Sequence, residues 1–454
     1  MKKFFTLLLL LITSAGFSQS INNMTLLGTI DEYNAGGTPA GWHYAACWGY
    51  TAPDGREYAI IGHYQGTTFY DITDAPTIVN CGMIPGPSSF YNYREMKTYS
   101  HYAYIVSEGT GTGVTIVDLQ YLPDSVHFVK NYTYAGFTRT HTISQEGRYL
   151  YLNGGTNSPN GGVTVLDLEP DPENPVKLGS WTTRYVHDSF IRNDTIYASC
   201  ISAGYLSILD ATDKNNITLI KEFTYPQAVT HNAWTTTNGD YMVVTNEGGS
   251  NRAFLWDIRD FNNITQIYEF VPYEVSMVHN AYFKGDSLYM AHYRAGAIVY
   301  DVTNINAPVE VGHYDTYPGA GTAYQGAWNI YPYFESGKII VSDISTGLYV
   351  LKMGSSVNIT HNNGMNPEDY ALAQNYPNPF NPMTRIDFNL PKAGHVNIKV
   401  YDNTGREVST LLNENKSSGA YSVYFDGADM SSGIYFYSLE TEGFKETKKM
   451  MLVK

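Results

Sequence analysis

One short pattern recurs along most of the chain: a small residue, a run of apolar and β-branched residues, then Asp. It reads GTTFYD from Gly66 to Asp71, GVTIVD from Gly113 to Asp118, GVTVLD from Gly162 to Asp167, GYLSILD from Gly204 to Asp210, AFLWD from Ala253 to Asp257 and GAIVYD from Gly296 to Asp301. A seventh copy, GLYVLK from Gly347 to Lys352, has lost the Asp. Successive Asp residues lie 47, 49, 43, 47 and 44 apart. That period is the length of one four-stranded propeller blade, roughly 40–50 residues.

The rest of each unit can be laid out around this anchor. Two apolar-alternating segments precede it, as in His279-Asn280-Ala281-Tyr282-Phe283 and then Ser287 to His292. A polar turn follows it, often ending in Pro, as in Ala307-Pro308. A last segment then runs from Val309 to Tyr314. Alternation between Gly, Asn and Asp turns predicts four short strands per unit. No stretch beyond the first residues shows a long helical period. The fold class expected is all-β.

The ends of the repeat predict how the ring closes. Unit seven has three strands and no fourth. Residues 24–31 (MTLLGTID) form an orphan strand that matches the fourth-strand pattern of Val309 to Asp315. The expectation is a seven-bladed β-propeller closed by this N-terminal strand, pairing near Leu348 to Lys352. Closure between chain ends leaves fewer exposed sheet edges.

The chain starts with Lys2 and Lys3, then an apolar run from Phe4 to Ile12, then small residues at Gly16 and Ser18. This is the pattern of a signal peptide over residues 1–18. The run is shorter than the roughly 20 residues a spanning helix needs. No later stretch is longer, so no membrane-spanning segment is expected in the mature protein. The three cysteines, Cys47, Cys81 and Cys200, cannot all pair internally. Cys200 reads as a buried small hydrophobe, and a Cys47–Cys81 bridge is left open. The net charge of −15 argues against a nucleic-acid partner.

Several motifs within residues 22–353 occur in a characteristic order. They include Trp48-Gly49-Tyr50, Arg94-Glu95-Met96-Lys97, Val186-His187-Asp188, Thr230-His231-Asn232-Ala233-Trp234 and His279-Asn280. With the Ile-Val-Asp118 type of strand, they resemble the choice-of-anchor B family and its LVIVD repeat. The resemblance implies a propeller on a bacterial surface and no established reaction.

Beyond the propeller (19–353) a polar segment, 354–374, reads as a linker. Residues 375–454 are a second unit. Alternation at Val396, Ile398 and Val400, and at Tyr435, Tyr437 and Leu439, predicts a small immunoglobulin-like β-sandwich. It opens with Asn375-Tyr376-Pro377-Asn378-Pro379-Phe380-Asn381-Pro382 and carries Gly405-Arg406-Glu407-Val408 and a basic end. These motifs resemble the type A C-terminal sorting domain of the type IX secretion system. The resemblance implies that system's machinery as a partner, passage through the periplasm and outer-membrane translocation. It also implies a Bacteroidota-type source, with the product secreted or attached to the cell surface.

The strongest candidates for chemistry are His141, His187, His231 and His279. They hold equivalent positions at the start of the first strand of units three to six. The first strand of a blade is innermost, so four imidazoles converge on one mouth of the channel. Imidazole suits zinc, copper, iron and nickel, and acid should compete for the rings near a pH of about 6.5. The competing expectation is structural: rings spent on a neighbouring blade's backbone. Arg94 and Glu95 take the place in unit two, and Asp188 follows His187, where it could orient a ring. With His63, Glu108, Glu247, His292 and Asp343 they make a candidate rim site. Tyr317, Tyr324, Tyr331 and Tyr333 are a candidate aromatic platform.

Three functional readings follow. The first is a scaffold for an extracellular ligand, protein or glycan. The second is a metal-binding protein or metalloenzyme with an axial histidine cluster. The third is a non-metal hydrolase or lyase using rim carboxylates and His. The absence of GxSxG, HExxH and phosphate-cradle motifs tilts the sequence away from an enzyme.

Overall fold

The computed structural model describes residues 21–454 apart from 35, 39–40, 87–92, 170, 249–250, 272, 274–275, 318–323, 355–359, 363–368 and 428–429. The signal-peptide expectation lies outside the described residues. Seven antiparallel sheets follow one another from Tyr44 to Met353. Blade one, for example, is Tyr44–Thr51, Glu57–His63, Gly66–Asp71 and Val79–Pro85, paired in that order.

There is no single core. Apolar clusters lie between neighbouring blades instead. Ile60, Phe69 and Tyr58 of blade one meet Met96, Ile105 and Val117 of blade two. The same holds blade by blade around the ring. The last cluster joins Ile340, Leu348 and Val350 of blade seven to Tyr44, Ile61 and Tyr70 of blade one. The sheets are therefore a closed ring, a β-propeller. Middle strands are covered on both faces, which is why Glu57–His63 is buried throughout its length.

The repeated pattern has a physical basis at both ends. Each terminal Asp accepts a hydrogen bond from the backbone N–H two residues on, fixing the turn into the fourth strand. Thr73 donates to Asp71 at 2.9 Å, Gln120 to Asp118 at 2.9 Å and Thr303 to Asp301 at 2.8 Å. Such local bonds are the usual role of Asp in turns. Lys352 of the seventh copy leads into no such turn. At the other end, a Cβ on Gly162 would lie 1.9 Å from the Trp181 carbonyl of the fourth strand. In blade seven a Cβ on Gly347 would meet the carbonyl of Ile30 at 2.3 Å. The N-terminal strand thus fills the fourth-strand place.

Met24–Ile30 pairs antiparallel with Gly347–Met353, from Met24 opposite Met353 to Ile30 opposite Leu348, with a shift of register between Leu26 and Gly28. Just before it, Ile21–Asn22 adds a fifth strand to blade six against His313 and Tyr314. Just after it, Asp31 accepts from Tyr44 at 2.7 Å and Glu32 from Tyr70 at 2.9 Å, both in blade one. One short segment therefore ties three blades.

Gly162→Ala should lower stability by about 1–3 kcal/mol, because the new methyl forces the fourth strand outward. A urea midpoint unchanged from wild type would show that the small residue is not sterically required.

All three cysteines are free and buried, so the Cys47–Cys81 bridge is not formed. The Cys47 thiol faces the carbonyl of Asn329 at 3.8 Å, in the neighbouring blade.

The C-terminal unit has two four-stranded sheets. Between them lie Phe388, Ile398, Val423 and Tyr437. Part of the expected linker belongs to this unit, since Thr360–Asn362 and Ala371–Leu372 pair at its sheet edges. The proline-rich run is built in as well. Asn375 donates from Nδ2 to Thr384 Oγ1 at 2.8 Å, and Phe380 is buried. The Phe380 backbone exchanges hydrogen bonds with Met451 and Val453, which pins the last strand.

Candidate functional site

The inner strands present two layers of side chains to the axis. In the lower layer stand Glu95, Asp188, Asn232, Asn280 and Asn329, at equivalent places in blades two, four, five, six and seven. Asn232 donates to Asp188 at 2.8 Å, Asn280 to Asn329 at 3.1 Å and Asn329 to the Cys47 carbonyl at 2.8 Å. These bonds fasten blade four to five, six to seven and seven to one, and explain why Asn or Asp follows His187, His231 and His279 in the repeat. Asp188 is spent here and on the backbone N–H of Ser189, not on orienting a ring.

The upper layer carries the four histidines. Their rings run side by side around the axis, with centroids 4.2 Å apart from His141 to His187, 4.5 Å from His187 to His231 and 4.1 Å from His231 to His279. They line a cavity of about 310 Å³ with Arg94, Glu95, Glu108, Asp188 and Glu247.

The structural expectation is met at two of the rings, through Nδ1. His231 donates from Nδ1 to the carbonyl of His279 at 2.9 Å, and His279 from Nδ1 to that of Trp328 at 2.6 Å. A ring held this way carries its proton on Nδ1 and presents the Nε2 lone pair, which is how metal-binding histidines are oriented. His231 Nε2 lies 3.5 Å and His279 Nε2 3.8 Å from the Glu247 carboxylate. Donor atoms of His187, His231 and Glu247 all lie within 4.8 Å of one another. His187 Nδ1 and His279 Nε2 are buried with no hydrogen-bond partner among the described residues.

Electrostatics keeps most of these rings neutral. Burial pushes His231 and His279 down to about 3. Burial, then the neighbouring rings, holds His187 well below its ordinary value. His141 differs. Burial alone would lower it, but the hydrogen bond and charge of Glu108 outweigh that, and it is raised. Its Nδ1 donates to Glu108 at 2.7 Å, and that bond in turn lowers the Glu108 carboxyl. His141 Nε2 meets His187 Nε2 at 2.8 Å. Beneath them, burial raises Asp188 and lifts Glu95 to about 7, with Lys97 opposing. The Lys97 ammonium sits 3.6 Å over the Trp48 ring.

Three expected rim residues do not reach the cavity. His63 bonds Thr68 at 2.9 Å and stacks on Tyr33 at 3.7 Å. His292 bonds Ser276 at 2.8 Å within blade six. Asp343 accepts from Thr316 at 2.7 Å and from the backbone of Ser345. Each sits on a second strand, one step outward from the axis. Arg94 does line the cavity, and its Nε is committed to the His63 carbonyl at 2.9 Å. Of the four candidate platform tyrosines only Tyr324 lines the cavity. Tyr331 and Tyr333 pack against Trp48 and Trp234 between blades.

Residues not singled out from the sequence complete the walls: Trp42, Tyr93, Tyr293 and Trp328. The signal for Trp328 was present, because Ala327-Trp328-Asn329 aligns with Val278-His279-Asn280. Tyr293 donates to Glu247 at 2.7 Å and holds that carboxylate against the histidines.

Among solved structures, the chain is similar to the periplasmic gluconolactonase of Pseudomonas aeruginosa, with TM-score 0.48 and 12% identity over 89% of this chain and 99% of that one. A putative 6-phosphogluconolactonase from Bacteroides fragilis gives TM-score 0.48 and 14% identity over 73% and 93%. A functionally unknown protein from Desulfotomaculum acetoxidans gives TM-score 0.48 and 13% identity over 79% and 96%. A search of curated protein sequences finds no match. Residues 374–454 match the family described as the secretion system C-terminal sorting domain. No helix among the described residues is long and apolar enough to cross a membrane. The C-terminal β-sandwich is therefore a type IX secretion sorting domain, and the chain is a β-propeller marked for export, to be secreted or held at the cell surface.

Proposed function

We propose that this exported propeller binds a divalent transition metal in its axial cavity, through His187, His231 and Glu247, with His279 as a further donor. The carrying observation is the convergence of donor atoms of His187, His231 and Glu247 within 4.8 Å of one another, with the His231 ring fixed through its Nδ1 on a backbone carbonyl. Two imidazoles and one carboxylate are a set that zinc takes, and also non-haem iron(II). Neutral rings are what coordination requires, and burial supplies them. The cavity beside this set leaves space for a ligand, so the scaffold reading and the metal reading describe one site. A reaction on rim carboxylates alone is less well supported, since His63, His292 and Asp343 are turned away. The propeller motifs resemble the choice-of-anchor B family, and the path proposed is through the periplasm to the outer surface by the type IX machinery.

Protein purified without chelator should carry close to one equivalent of zinc, iron, nickel or copper by elemental analysis, or take it up on titration. Retention should outlast the pH at which ordinary histidines protonate. A proton competes with the metal only near the ring's own pKa, and that lies at about 3 for His231. Retention should therefore hold down to about pH 5, rather than fade near the unperturbed value of about 6.5. Absence of all four metals after titration defeats the proposal. Release at about pH 6.5 shows that the rings are not buried ligands.

A further inference from the structure

In blades two, five and six the residue just past the second strand turns to the axis. Glu108, Glu247 and Tyr293 follow Ser107, Asn246 and His292, the last residues of those strands, and all three line the axial cavity. Blades five and six are neighbours, and their two residues meet. Tyr293 Oη donates to Glu247 Oε1 at 2.7 Å. A carboxylate only accepts, so the phenol supplies the proton of this bond.

Both partners are held in place. Tyr293 is 1% exposed. Its ring meets those of His279, Tyr324 and Trp328 edge to face, with centroids 5.0, 5.7 and 6.2 Å away. Its carbonyl accepts from the Ala327 N–H at 2.8 Å, and a Cβ on Gly326 would lie 2.1 Å from that oxygen. Blade seven therefore braces the tyrosine from behind. The Glu247 N–H donates to the Val229 carbonyl at 3.2 Å, which fixes the other partner's backbone.

The two carboxylate oxygens thus have different tasks. Oε1 is engaged by the phenol and lies 3.8 Å from His279 Nε2. Oε2 faces His231 Nε2 at 3.5 Å. Two donors at about 2.1 Å from one zinc ion, at a tetrahedral angle, stand about 3.4 Å apart. Oε2 and His231 Nε2 are therefore already spaced as two ligands of one ion.

We propose that Tyr293 is the positioning residue of the metal site. By holding Oε1 it makes Glu247 a one-oxygen donor, and so keeps a coordination position of the ion open to the cavity for a small oxygen- or nitrogen-donor ligand from outside. The inference rests on the metal reading above. His187, His231, His279 and one oxygen of Glu247 supply at most four donors, and zinc can take five. A second oxygen from Glu247 would fill the fifth place from within. Open positions mark metal sites that take a substrate, whereas closed ones are structural.

The test loads the full chain with cobalt(II), whose visible bands weaken as its coordination number rises, and then titrates azide. The wild type should bind cobalt and answer azide with a saturable change in those bands. Tyr293→Phe keeps the ring and removes the hydroxyl. It should bind cobalt about 10–100-fold more weakly, the loss typical of an outer partner. At full loading its bands should be weaker than those of the wild type, and its azide response should be lost. A purely structural tyrosine would shift the melting temperature and leave the spectrum and the azide response as they were. The wild-type titration needs no variant: cobalt bound without an azide response overturns the open position by itself. Equal cobalt affinity, spectrum and azide response in Tyr293→Phe remove the role of Tyr293 and leave the metal reading standing. No cobalt bound by the wild type removes the metal reading, and this inference with it.

Discussion

Replacing His187 and His231 together with Ala should abolish metal retention while the propeller stays folded. Loss of two donors from a three-donor set should cost more than the roughly 10–100-fold that changes to outer partners cost. The single variants are informative as well. His231 spends Nδ1 on the His279 carbonyl, which also accepts from Thr245 Oγ1 at 2.8 Å, so removing the ring costs one hydrogen bond, about 1 kcal/mol, and leaves the carbonyl with a partner. The His187 ring makes a weaker contact of the same kind, with the backbone of His231. His187→Ala alone should therefore reduce metal content strongly and lower the melting temperature of metal-free protein no more than His231→Ala does. If the histidines were purely structural, the wild type would hold no metal and both single variants would melt earlier. Thermal melts with and without chelator, read beside elemental analysis, distinguish the two outcomes.

Deleting residues 19–31 should cost most of the stability of the propeller. The segment supplies the outer strand of blade seven and buries Met24. It also carries Asn23, which donates to the Val311 carbonyl of blade six at 2.9 Å, and Asp31, which holds Tyr44. Ladder hydrogen bonds are worth about 1 kcal/mol each, and burial of one large apolar side chain about 2 kcal/mol. Together they approach the ~5–15 kcal/mol by which folded domains exceed their unfolded chains. The truncated protein should melt more than about ten degrees lower, given a few degrees per kcal/mol, or fail to fold. A melting temperature within a degree or two of the intact chain would mean that the ring holds without its clasp.

Much of this architecture was legible in the sequence because the repeat states it directly. The Gly-to-Asp segment marks a strand squeezed against its neighbour's backbone at one end and a side-chain-fixed turn at the other. Both constraints act locally, so residue type reveals them. The histidines were legible for the same reason, since equal register on equivalent strands places them at equal height. The partners that decide their chemistry were not. His63 and Asp343 are the last residues of their second strands, whereas Glu108 and Glu247 lie one residue past theirs, which end at Ser107 and Asn246. One residue along an extended chain turns the side chain to the other side, so the first two stay within the blades and the other two line the cavity. The aromatic walls were hidden by abundance, because among 40 tyrosines no pattern separates Tyr93 and Tyr293 from those between blades.

The clasp also sets a schedule. Met24–Ile30 leaves the ribosome early, but its partner, Gly347–Met353, is made more than 300 residues later. At ~5–20 residues per second, that is a wait of roughly 15–60 s. Throughout it, the first strand has no sheet to join and the ring has no last blade. Two chains crowded together at that stage have identical edges on offer, so the first strand of one fits the open blade of the other. Exchange of this kind gives a dimer built from native contacts. High expression should therefore favour strand-swapped pairs, while dilute, slow production favours the closed monomer.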